Sequence, residues 1–257
     1  MGLGFRVVIA LATLALPTAA WAVPTVTVRG RAVPIPGFPH TGNFFGAGAA
    51  VQAKVSISGK EYGGFPPPLI GINTFLPAGV HLNTHAFPTC PVAAIMQQRE
   101  PRLCPKGSSA GPPGRVSGVV AFGKELVREE AEILSFFAPG GGFEFLTLGH
   151  SPVLLEVPTL AQLHHPGGAG GFGPEFTAEI PLVVTVPGAQ DASVETIEIT
   201  LGAALRRRGK PVYYGTVPRT CPHGGFRVKA EFIFAGGGDT SQPETVTVPF
   251  RAPCPTR

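Results

Sequence analysis

An all-β fold, an antiparallel two-sheet β-sandwich with long Gly/Pro-rich loops, follows from three properties of this sequence. Apolar and polar residues alternate with period two over segment after segment, glycine (35) and proline (29) punctuate those segments, and no comparable stretch carries the 3.6-residue period of an amphipathic helix. Glycine and proline at this level are also a mark of disordered chains. Here they stand between strongly apolar, β-branched runs, so they read as turn chemistry.

Residues 1–22 read as a secretory signal peptide: Arg6 is the lone charge ahead of an apolar run over residues 7–16, and Ala20-Trp21-Ala22 supplies the small residues a signal peptidase needs. Cleavage after Ala22 would start the mature chain at Val23. The run is too short for the roughly 20 apolar residues of a membrane span, and no second run follows, so export without a transmembrane anchor is expected. The remaining residues, 23–257, are long enough for one β domain with a real core, or for two small ones divided near 160–174, where residues 167–173 form the most linker-like stretch.

The first expected strand is 25–28, followed by Val51-Gln52-Ala53-Lys54-Val55-Ser56-Ile57-Ser58, in which every odd residue is apolar and every even one polar. One face is thus buried and the other wet. Prolines at 34, 36 and 39 and at 66–68 cannot donate into a ladder and mark edges or connections. Strands are then expected at 69–76, 115–122, 131–137, 143–148, 153–157, 179–186 and 197–201. The segment 125–134 has good helix formers and fits a strand or a short helix equally well. A hairpin ends the chain: residues 226–234 and 245–250 alternate around Gly236-Gly237-Gly238-Asp239.

Four cysteines in an exported chain argue for two disulfides, and none forms the C-x₂₋₄-C pair of a zinc site. Three connectivities are possible in principle. Partners in the final hairpin should have residue numbers summing to 475–480, and Cys221 with Cys254 sums to 475, which places that bridge at the hairpin base. Cys90–Cys104 would pin the irregular excursion 91–103.

The element Val33-Pro34-Ile35-Pro36-Gly37-Phe38, the run from Tyr62 to Gly71 through Pro66-Pro67-Pro68, the Cys104-Pro105-Lys106-Gly107-Ser108 turn and the ending from Cys221 to Cys254 resemble an uncharacterised family of exported proteins from high-GC Gram-positive bacteria. The resemblance covers most of the mature chain. It implies export and paired cysteines, and it carries no functional residue with it.

Composition excludes several function classes. The formal charge of +4 falls to about +3 once Arg6 is removed, and the only basic cluster, Arg206-Arg207-Arg208 with Lys210, reads as a solvated turn, so no nucleic acid is expected. Asp occurs only at 191 and 239, which disfavours calcium loops and paired-Asp catalysis. Gly149-His150-Ser151-Pro152 imitates a nucleophile elbow but has Val153 where a small residue is needed and a proline where an amide should donate to an oxyanion. His81 and His85, four apart, would stand roughly 13 Å from each other on a strand, and His164-His165 precedes Pro166, so no metal or cofactor is expected. Glu129, Glu130 and Glu132 read as a charged outer face or edge.

Aromatics in Gly/Pro-rich segments, Phe38, Phe44, Phe45, Phe65 and Phe172, are candidates for a binding patch, or for plugs at the ends of the sandwich. Together these observations point to a secreted, non-enzymatic binding or structural module whose partner is an extracellular or cell-envelope component. The alternative is a secreted hydrolase whose site is assembled from loop His, Ser and Glu residues, among them His150, His223 and Ser151.

Overall fold

The computed structural model describes residues 23–38, 46–91, 94, 96, 104–165, 171–236 and 239–254, so the expected signal peptide lies outside the described residues, as do Phe44 and Phe45. Its strands, in chain order, are β1 (Thr25–Val33), β2 (Ala50–Ser58), β3 (Leu69–Pro77), β4 (His81–Leu82), β5 (Gly114–Phe122), β6 (Glu125–Phe137), β7 (Phe143–Gly149), β8 (Leu155–His164), β9 (Phe172–Glu179), β10 (Ser193–Leu201), β11 (Ala204–Arg207), β12 (Lys210–Tyr213), β13 (Gly215–Thr216), β14 (Phe226–Gly236) and β15 (Asp239–Ala252).

Eleven of these strands are neighbours in one antiparallel sheet, in the order β1-β2-β10-β5-β6-β7-β8-β9-β3-β14-β15. This corrects the expected two-sheet sandwich. Strand twist accumulates across a sheet, and open sheets of more than about ten strands curl or split; this one curls. Its end strands β1 and β15 come to lie side by side, with the Phe250 ring over Gly30, although no backbone ladder joins them among the described residues. Register shifts at Val194/Thr196, Ile233/Phe234 and Phe75/Pro77 add the local bending that curling needs. The result is a nearly closed barrel.

Register makes the inside apolar. Reading around the sheet, Val28 pairs with Val55, Val55 with Ile197, Ile197 with Val116 and Val116 with Ala131. On the opposite wall Ala161 pairs with Ala178, Ala178 with Ile72, Ile72 with Phe232 and Phe232 with Val246. The adjacent row points outwards and is charged: Arg29, Lys54, Glu198, Arg115 and Glu132 follow one another across five strands. Lys54 hydrogen-bonds Glu198, and this contact, with a smaller contribution from Arg115, draws the Glu198 carboxyl below its ordinary value. A lipid-embedded barrel has the reverse arrangement, an apolar outer band around a polar interior.

Both ends of the chain segment expected as a boundary, 160–174, are strands of this same sheet, since β8 pairs with β9 across residues 166–170. The ambiguous segment 125–134 is strand throughout, as the first part of β6. The strand expected at 179–186 ends instead at Glu179 and begins at Phe172. The glycine-rich run 167–173 hid its start, while Phe176 and Ala178 supply the inward face; Pro174 is tolerated because pairing with β3 is irregular there. The basic cluster forms the exposed tip of the β11–β12 hairpin.

The two disulfides are Cys90–Cys104 and Cys221–Cys254, with Cα separations of 5.4 and 6.0 Å. In the final hairpin Phe226 pairs with Ala252 and Phe234 with Glu244, and Cys221 and Cys254 close its base just beyond the paired residues, within the expected range of sums. Cys90, Cys104 and Met96 pack with Phe136, Leu146, Leu134 and Leu148 on the outer side of β6 and β7. That cover explains why β6 loses its alternation after Leu134: both faces of Ser135, Phe136 and Phe137 are buried.

Candidate functional site

The barrel is not filled. Ile72, Thr74, Phe145, Ile197 and Ile199 point inwards and yet remain only half-buried. Val51, on the same inner face as buried Val55 and Ile57, keeps 45% of its surface accessible. The space they border is a cavity of about 290 Å³, walled by β1, β2 and β10 on one side and by β3, β14 and β15 on the other. A second lobe of about 180 Å³ lies towards β5, β6, β7 and β8. Ile72, Phe145, Ala178, Ile197 and Ile199 line both, so the two lobes form one lumen divided by these side chains.

Each end of this lumen has a packed cluster beside it. Val26, Ile57, Leu69, Phe232 and Phe234 form one, in which the first strands of the sheet meet β3 and β14. The other is aromatic: Phe137 stacks at 4.5 Å from Tyr214 and 4.7 Å from Phe87, with Phe143 and Phe176 alongside. The Tyr214 hydroxyl donates to the Gly141 carbonyl at 2.6 Å, and burial pushes its phenol well above the ordinary tyrosine value. That phenol is a fixed donor, satisfied by the backbone.

One ionisable side chain faces the lumen wall of the smaller lobe. Glu129 is 3% exposed and sits on β6 in the inward row of Ala131 and Ile133. Its Oε2 accepts the Val153 amide at 3.2 Å, whereas Oε1 is buried without a hydrogen-bond partner. A glycine makes the space for it. Gly118 is its partner on β5, and a Cβ on Gly149 of β7 would stand 2.8 Å from Oε1. Glu130 and Glu132 alternate outwards, so the acidic cluster expected on one outer face or edge is split, with Glu129 on the inside. The sequence signal was available: Glu129 has the parity of Ala131 and Ile133, which a strand reading of 125–134 would have placed together.

The aromatics singled out from sequence sit against separate partners. Phe38 meets the edge of the Tyr213 ring at 6.2 Å and lies under the Arg206 guanidinium at 5.3 Å. Phe65 closes a bridge with Tyr62, in a turn held by the Gln190 side chain. Phe172 lies 6.0 Å from Phe75 on the outer wall, with Arg227 over its ring. All three are half-buried.

His150 and Ser151 are exposed in the β7–β8 connection, and at His223 it is the backbone carbonyl that accepts, from Arg251. His81 and His85 are also exposed, and the described residues include no group of three or more His, Cys, Asp or Glu able to hold a metal ion.

No protein-family model, curated protein or solved structure matches this chain.

Proposed function

We propose that this chain is an exported, non-enzymatic binding module that carries a small apolar molecule inside its curled sheet. The observation that supports this reading is the lumen itself, about 290 Å³ with an apolar wall. Small barrels fill their interiors with side chains, and wider ones enclose ligand cavities. An apolar cavity of about 150 Å³ already stays dry and accepts benzene, so the larger lobe here has room for a ligand of roughly twice that size. The polar, charged outer wall suits a carrier working in water, and the two disulfides suit an oxidising compartment. The source or destination of the ligand would be an extracellular or envelope component.

The test is fluorescence titration of the mature chain with N-phenylnaphthylamine, an apolar probe whose emission rises in dry surroundings. The expected result is saturable, stoichiometric enhancement that decanol reverses by competition. Enhancement that grows linearly without saturation, or that decanol leaves untouched, overturns the proposal.

A further inference from the structure

The interior of this barrel holds one feature that an apolar container does not require, the buried carboxylate of Glu129. Burying a carboxylate oxygen without a partner is unfavourable, and native structures keep few such groups. A leucine at this position would continue the apolar row of Ala131 and Ile133 at no such cost. A glycine instead leaves room for the carboxylate: a Cβ on Gly149 would stand 2.8 Å from Oε1. The Val153 amide holds Oε2, which fixes a carboxylate that lines the smaller lobe and leaves Oε1, buried beside Gly149, without a hydrogen-bond partner.

We infer that Glu129 is the polar anchor of the lumen, and that the ligand class is an amphipathic molecule with an apolar body and a hydrogen-bond-donating head, a hydroxyl or an amine. This rests on the reading of the lumen as a ligand site and adds the orientation of the ligand. The apolar body lies against Ile72, Phe145, Ala178 and Ile197, and the head donates to Oε1. A carboxylate head is disfavoured, because two acceptors would then face each other in a site of low dielectric.

Three molecules of equal chain length separate the possibilities: decanol, decylamine and decanoate, each used to displace N-phenylnaphthylamine at neutral pH. Hydrogen bonds to a charged group are the stronger kind, so the better donor-headed competitor should act at concentrations at least about tenfold lower than decanoate. Whether decanol or decylamine leads distinguishes a neutral from a cationic head. In Glu129→Gln, which keeps the shape and removes the charge, the gap between decylamine and decanoate, read as the ratio of their displacement midpoints in that variant, should close.

Decanoate competing as well as both donors in the natural chain overturns the anchor, as does a gap that Glu129→Gln leaves unchanged. If Glu129→Gln does not fold, the head-group series on the natural chain decides alone. The two readings fail differently. Absence of saturable probe binding removes the lumen as a ligand site and the anchor with it, whereas probe binding without head-group preference removes only the anchor.

Discussion

Ala178→Ile measures whether the barrel is hollow. Ala178 lies on the inner face of β9, paired with Ile72 on β3 and Ala161 on β8, and it borders both lobes of the lumen. Isoleucine adds three carbons there. If they enter empty apolar space, each contributes about 0.8 kcal/mol, about 2.4 kcal/mol in all, and β-branching suits a strand. For a domain of this size the gain should raise Tm by roughly 5–10 °C. Urea denaturation followed by far-UV circular dichroism gives the stability, and the same preparation is titrated with N-phenylnaphthylamine. Stability should rise as probe affinity falls, the usual exchange between function and stability. A loss of more than about 1 kcal/mol would refute the reasoning, because it would mean that the new methyl groups overpack a core that is already full.

Two further outcomes are expected. Replacing both cysteines of the longer loop, Cys221 and Cys254 with a separation of 33, should cost about 3.7 kcal/mol, and replacing Cys90 and Cys104, with a separation of 14, about 3.0 kcal/mol; thermal unfolding of the two double-serine variants checks both, and losses under about 1 kcal/mol would remove loop closure as the source of stability. The sequence has a single tryptophan, Trp21, so a chain cleaved after Ala22 should emit as tyrosine alone, and tryptophan emission from the purified secreted protein would place cleavage elsewhere.

Much of the barrel wall was legible in the sequence because a strand's period is two and does not depend on what the strand faces. The residues 51–58 show which side of β2 is inside, and the spacing of the last hairpin puts Cys221 against Cys254. Closure was not legible. Alternation gives the same pattern whether the apolar face meets a second sheet or the far wall of its own sheet, and strand order depends on pairings such as β2 with β10 that leave no local trace. Glu129 was missed for a related reason. Its segment also fits a helix, and three glutamates within four residues look like one solvated cluster until strand parity divides them.

The meeting of β1 and β15 has a consequence for how the protein comes to be folded. These are the first and last strands described, and their meeting brings the two edges of the sheet together. A chain emerging from its N-terminal side can form the β1–β2 hairpin at once, but β2 must then wait for β10, and β3 must wait for β9 and β14. Contacts this distant in sequence make for slow folding. In the interval, the rows that will line the lumen are open apolar strand faces beside unpaired edges, the kind of surface that associates between chains. The apolar rows that would receive a ligand are thus the surfaces left open longest while the sheet is incomplete.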